Sequence, residues 1–226
     1  MNVQAVAAMT DLPRYSLLGL SALIFEAPGE FDLDHQRRIW AMADAAAAWP
    51  EVREAVPGMT NLTVLLRQPP EDPDEFGGRL IELWQSGISK DVDGKTFDIP
   101  IVYGGEGGMH LSEVAKMTGL SPEEVVAIHS APLYPVYAVG SHAGYCYLGG
   151  LDKRLFLPRR AVPLLSIPGG SLSIAGRQTG VSASAGPSGW HTIGSAKTVF
   201  FDPYRSPPAL LAPGDAIRFH PEKVLP

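Results

Sequence analysis

Two glycine-rich stretches hold the residues best suited to chemistry. The first runs Gly140-Ser141-His142-Ala143-Gly144-Tyr145-Cys146-Tyr147-Leu148-Gly149-Gly150-Leu151-Asp152. The second runs Ile174-Ala175-Gly176-Arg177-Gln178-Thr179-Gly180 and is followed by Gly186-Pro187-Ser188-Gly189-Trp190-His191-Thr192-Ile193-Gly194. Glycine tolerates positive φ and lets the backbone come close to a ligand. The amides of such loops can therefore point at a carboxylate, an oxyanion or a phosphate. Gln178 adds an amide that both donates and accepts, Thr179 a hydroxyl, and His191 an imidazole titrating near neutrality. His142, set between small residues, is a loop imidazole able to act as acid or base. The competing reading is structural: His142 as a satisfied histidine, His191 as a buttress under Trp190. Neither stretch is a Walker A loop or a dinucleotide fingerprint, since the spacing and the following helix are missing.

Other chemistry has less support. The six histidines form no HExxH and no i, i+4 pair, and the single cysteine, Cys146, leaves no thiolate zinc set, so no metal is expected. Cys146, between aromatic neighbours and far in sequence from any cation, reads as a core residue. No Gly-x-Ser-x-Gly elbow occurs. The segments 111–119 and 121–130 pair like a helix-turn-helix, but the second carries Glu123 and Glu124 and no Lys or Arg lies between 120 and 135, so no nucleic acid partner is expected.

The 226 residues carry a formal charge of −6, with 45% apolar and 19% charged residues, which places the chain in the globular range. Charge is unevenly spread. Between 131 and 201 the cations Lys153, Arg154, Arg159, Arg160, Arg177 and Lys197 meet one acid, Asp152, so a locally cationic, glycine-rich segment is available to a small anion. The first residues lack a basic n-region and no run of about 18 apolar residues exists, so a cytoplasmic protein without a membrane partner is expected.

The first half alternates strands and helices. Residues 15–25 read as one or two short strands, 33–49 as a helix capped by Asp32 and stopped by Pro50, and 52–56 with 61–66 as a strand pair turning at Pro57-Gly58. Asp72 then caps a second helix with Pro73 at its first position. This order predicts a small split βαβ, ferredoxin-like sandwich over residues 1–95. The polar segment 85–98 is the expected boundary. Beyond it, Ser121 with Pro122 and Glu124 marks a helix start, and from 136 onward short apolar runs broken by Gly and Pro read as strands, at 136–139, 145–148, 171–175, 198–201 and 216–219. Residues 96–226 are thus predicted to form a β-barrel or sandwich, giving an α+β chain of two domains.

Several segments in combination resemble a known family: Ile99-Pro100-Ile101-Val102-Tyr103-Gly104-Gly105-Glu106, the Leu120-to-His129 run, Tyr147-to-Asp152, Ile174-to-Gly180, Gly189-to-Gly194, Phe201-Asp202-Pro203 and Pro213-Gly214-Asp215. They resemble the bacterial family of 5-oxoprolinase B subunits, also named allophanate hydrolase subunit 1 and sporulation kinase A inhibitor. The resemblance implies a cyclophilin-like barrel, a homologous C-type partner subunit, a third oxoprolinase subunit, and ATP-dependent opening of 5-oxoproline to glutamate, with no ATP site identifiable in this chain. It also leaves two alternatives, an inhibitor of a sensor histidine kinase and a carboxyltransferase component acting on urea-like amides. For lactam opening, the expected catalytic residues are Gln178 and Thr179, holding the carbonyl oxygen, and His191, moving a proton. Arg177 is expected to meet the substrate carboxylate. Gly176, Gly180, Tyr147, Gly149, Gly150, Trp190 and His142 are expected to line the same site around a small anionic amide or lactam. The chain departs from the family pattern at 140–145, 181–183 and 186–190, all beside that expected site.

Overall fold

A computed structural model describes residues 12–29 and 32–226, which divide into two compact units, 1–92 and 93–226. In the first, β1 (Arg14–Leu17) and β2 (Ala22–Glu26) form a hairpin. They are followed by α1 (Leu33–Ala47), β3 (Val52–Pro57), β4 (Asn61–Leu66) and α2 (Pro73–Gln85). The sheet order is β1-β2-β4-β3, antiparallel throughout. β2 and β3 thus run parallel with β4 between them and α1 connecting them, which is a split βαβ unit. The edge strand beside β2 comes from β1, before the unit, and no strand of this sheet follows α2.

Local chemistry sets these elements. Asp32 caps α1 by accepting from the His35 amide at 2.8 Å, and Asp72 caps α2 by accepting from the Asp74 and Glu75 amides. Leu62, Val64 and Leu66 alternate inward along β4 and meet Ile39, Met42, Leu80 and Trp84 of the helices. Gly77, a poor helix former, is required where it stands: a Cβ there would lie 2.2 Å from the Tyr15 ring, which packs over α2 and donates to Asp74 at 2.9 Å.

The second unit contains β5 (Thr96–Tyr103), α3 (Leu111–Thr118), α4 (Pro122–Ser130), β6 (Leu133–Val139), β7 (Cys146–Leu148), β8 (Leu164–Ile167), β9 (Ser171–Ala175), β10 (Gln178–Val181), β11 (Gly186–Ser188), β12 (His191–Ser195) and β13 (Ala216–Val224). Seven strands close a barrel in the order β10-β7-β6-β13-β5-β12-β9, and β8 with β11 forms a separate two-stranded arm. This is the cyclophilin-like architecture that the resemblance implied. β13 pairs parallel to β5, while the other barrel pairs are antiparallel. Gly119, at φ +71°, ends α3, and the reciprocal Ser121–Glu124 box starts α4.

Two sequence expectations need correction. Residues 198–201 form no strand, only one bridge between Phe201 and Ala209. The prolines at 203, 207 and 208 lack the donors a ladder would need. Residues 178–181 and 191–195, expected as loops, are the strands β10 and β12. Their amides largely serve the barrel ladder.

Candidate active site

Strand alternation sorts the barrel's two faces. Leu148, Thr179 and Ile174 stand opposite one another across β7, β10 and β9 and are fully buried. The neighbouring row, Tyr147, Gly180 and Ser173, therefore faces the other way. Over that row lies an open cavity of about 280 Å³ whose walls are Ser141, His142, Tyr145, Tyr147, Arg159, Ser182 and the run Pro187-Ser188-Gly189-Trp190. Tyr145 is one of its walls. Its ring lies 5.0 Å from His142, 4.9 Å edge-on to Tyr147 and 6.3 Å edge-on to Trp190. Gly180 makes this possible, because a Cβ there would come within 2.7 Å of the Tyr145 hydroxyl.

Arg159 is the only Lys or Arg among the described lining residues, and none of those residues is a carboxylate. Arg159 makes no ion pair among the described residues. Burial raises the Tyr145 phenol above its ordinary range, and Arg159 acts in the opposite sense. The cavity therefore offers one free guanidinium, aromatic walls and neutral hydroxyls, a set suited to a small monoanion with an uncharged planar body.

The backbone that carries Arg159 is pinned on both sides. His191 Nε2 donates to the Pro158 carbonyl at 3.0 Å, and the Arg160 amide donates to the Gly189 carbonyl at 2.8 Å. The Arg160 guanidinium reaches Glu113 of α3 at 2.8 Å. With Nε2 carrying the donated proton, the other ring nitrogen of His191 is a lone pair. That Nδ1 is buried and has no partner among the described residues. His191 is 2% exposed, packs edge-on to His110 at 6.0 Å, and does not line the cavity. The His110 Nδ1 accepts from the Thr192 amide at 2.9 Å, and burial, followed by Arg160, lowers its pKa.

The residues expected in one site are dispersed over several places. His142, Tyr147, Gly180 and Trp190 share the cavity. Thr179 lies inside the barrel in a directed chain: the Tyr103 hydroxyl donates to His129 Nδ1 at 2.9 Å, His129 Nε2 donates to Thr179 Oγ1 at 2.9 Å, and Thr179 donates to the Ser173 carbonyl at 3.2 Å. Gln178 begins β10 opposite Ala175, and Gly176-Arg177 form the tight turn between β9 and β10 with Gly176 at φ +59°. The Arg177 guanidinium lies over the Phe156 ring at 5.4 Å and not in the cavity. Gly149 is a packing residue, since a Cβ there would strike the Tyr137 ring at 2.2 Å, and Gly150, at φ +93°, follows it at the end of β7. Cys146 is buried, and its thiol is pushed up to about 12 chiefly by burial.

Sequence reasoning missed Tyr145 and Arg159 as site residues, together with Ser141, Ser173, Ser182 and Ser188. Two weak signals existed. Arg159 belongs to the cationic stretch, and the segments 140–145, 181–183 and 186–190, where the chain departs from the family pattern, all contribute to the walls.

Among the described residues, neither the glycine-rich run 104–108 nor the cavity has the form of a triphosphate cradle. The glycine-rich run 104–108 before α3 is filled: a Cβ on Gly104 would meet the Leu225 carbonyl, on Gly107 the Ser195 hydroxyl, and on Gly108 the Ile193 carbonyl. The cavity, with one cation, does not match the charge of ATP either. Among the described residues no group of three His, Cys, Asp or Glu is placed to hold a metal, and no helix is long and apolar enough to cross a membrane.

Comparison with known proteins fits this architecture. Residues 13–211 match the family described as carboxyltransferase domain, subdomain C and D. The B subunit of 5-oxoprolinase from Escherichia coli O157:H7 is 42% identical over 210 residues, which cover 93% of this chain and 96% of that protein. The crystal structure of TTHA0988 superposes with a TM-score of 0.73 at 33% identity, over 91% of this chain but 41% of that longer one. The urea amidolyase of Kluyveromyces lactis shares the fold at a TM-score of 0.78 and 17% identity, over 93% of this chain and 15% of that one. With a family match over most of its length and a relative of that kind aligned nearly end to end, the chain belongs to the family of 5-oxoprolinase B subunits, built on carboxyltransferase subdomains C and D.

Proposed function

We propose that the chain is the substrate-holding component of a heteromeric, ATP-dependent enzyme that opens 5-oxoproline to glutamate, and that the cavity over Tyr147, Gly180 and Ser173 is where the lactam sits. The observation that carries this reading is Arg159, without an ion pair among the described residues, in a cavity whose described walls hold no carboxylate. 5-Oxoproline has one carboxylate and a flat, uncharged ring. Its carboxylate meets Arg159, and its ring packs against Tyr147 and Trp190. Lactam opening needs an activated carbonyl and a proton for the departing nitrogen. This chain supplies the holding and orienting part of that work. ATP chemistry is assigned to the homologous C-type partner or to a third component, since this chain carries no Walker A sequence.

Reconstitution tests the reading. ATP turnover is expected only when this chain, its partner subunits and 5-oxoproline are combined. Turnover that follows a urea-like amide instead, or full lactamase activity of the chain alone, would overturn it.

His191 then acts as a positioning residue through Pro158 and Arg159. His191→Ala is expected to lower the melting temperature and raise KM several-fold with kcat nearly unchanged. A general acid or base would instead lose roughly 10²–10⁴-fold in kcat, so the split between KM and kcat decides which role it has.

A further inference from the structure

Tyr145 is 9% exposed, and its hydroxyl makes no hydrogen bond among the described residues. The ring is buried, but the hydroxyl oxygen opens onto the cavity and is available to a ligand that enters it. The ring cannot swing freely, because His142, Tyr147 and Trp190 enclose it, and the hydroxyl rests against β10 at Gly180, on the floor of the cavity. Of the other hydroxyls there, those of Tyr147 and Ser182 also make no hydrogen bond among the described residues, and three are engaged. Ser141 pairs with His142 at 3.0 Å, Ser173 with Thr192 at 3.1 Å, and Ser188 accepts from the Trp190 amide at 3.1 Å.

We propose that the Tyr145 hydroxyl is the specificity-determining donor of this site and hydrogen-bonds the amide oxygen of the bound lactam while Arg159 holds its carboxylate. The inference rests on the reading of the cavity as the lactam site. Burial keeps the phenol protonated across the neutral range, so the hydroxyl can offer its proton to an acceptor without ionising. An amide oxygen is such an acceptor. A ring lacking it leaves the hydroxyl buried and unpaired, and is disfavoured for that reason.

Calorimetric titration of the full chain, alone and with its copurified partner, with 5-oxoproline and with cyclopentanecarboxylate tests this. The second ligand keeps the carboxylate and ring size but lacks the amide. Tyr145→Phe keeps the ring and the enclosure, so its melting temperature should match the parent. Its affinity for 5-oxoproline is expected to fall about tenfold, and its affinity for cyclopentanecarboxylate to stay unchanged. Unchanged 5-oxoproline affinity in Tyr145→Phe, with Arg159→Ala still losing both ligands, overturns the role of Tyr145 and leaves the cavity reading intact. Equal losses for both ligands in Tyr145→Phe place the hydroxyl on the carboxylate and overturn the assignment. No binding of 5-oxoproline by the parent chain in either state overturns the cavity reading and this inference together.

Discussion

Arg159→Ala is expected to lower kcat/KM for 5-oxoproline in the assembled enzyme by about 10²-fold, while the melting temperature stays within about a degree of the parent. The kinetic loss follows from removing a charge-assisted, potentially bidentate contact to the substrate carboxylate, worth roughly 1.5–3 kcal/mol. Stability is spared because Arg159 makes no ion pair among the described residues and is exposed on its side of the cavity. Arg159→Lys should recover only part of the activity, since an ammonium supplies the charge without the planar fork. Arg177→Ala is the decisive companion. Arg177 sits on the β9–β10 turn over Phe156, away from the cavity, so its loss is expected to change kcat/KM by less than about threefold, within the usual range for exposed side chains. Steady-state kinetics on both variants separates the two arginines. A large loss at Arg177 with little at Arg159 would put the carboxylate elsewhere.

Acidification from pH 6.5 toward pH 3 is expected to weaken the barrel by up to about 1.4 kcal/mol per pH unit, through His129. This imidazole is fully buried, stacked on Tyr134 and Phe219, and held neutral by its two directed hydrogen bonds. Burial lowers its pKa from 6.5 to about 3. Below pH 6.5 the unfolded chain takes up a proton that the folded chain refuses, so the stability this group contributes is present above 6.5 and is lost as pH falls. His110, shifted the same way, adds to the trend. Urea unfolding at pH 7.5, 6.0 and 5.0 measures it, and a His129→Gln chain should lose that part of the slope. Thr179→Val, nearly isosteric, leaves His129 Nε2–H without its acceptor and is expected to cost about 1–3 kcal/mol at neutral pH, with 5-oxoproline affinity unchanged. A stability independent of pH between 7.5 and 5 would contradict the buried neutral imidazole.

The first unit was legible because its signals are local. Asp32, Asp72 and Pro73 mark helix starts by chemistry that needs no distant partner, and the alternation of Leu62, Val64 and Leu66 belongs to a half-buried strand. The barrel was legible as a texture and not strand by strand. Gly180 and Gly194 read as loop residues, yet each is a place where a closed barrel brings groups too near for a side chain. A Cβ on Gly194 would lie 2.9 Å from Ile101, and one on Gly180 would meet Tyr145. Close approach and turn formation use the same residue, and sequence does not distinguish them.

The site was legible in part for a related reason. Thr179 and Gly180 are neighbours in sequence, but strand alternation sends the first into the core beside His129 and leaves the second under the cavity. Choosing between them requires the register against β7 and β9. Arg159 and Tyr145 were hidden by distance, since the segments that place them in one cavity are brought together only by the closed barrel and the β8–β11 arm. His191 has a residue type suited to acid–base work, but it is buried against Pro158 and does not line the cavity, which the sequence alone does not show.

The most direct test is the crystal structure of this chain with its partner and 5-oxoproline. The expected result is ligand density over Tyr147, Gly180 and Ser173, with the carboxylate on Arg159, the ring against Trp190 and the amide oxygen at the Tyr145 hydroxyl. Density for the lactam at the β9–β10 turn beside Gln178 and Arg177, or on the partner alone with this cavity empty, would contradict the account.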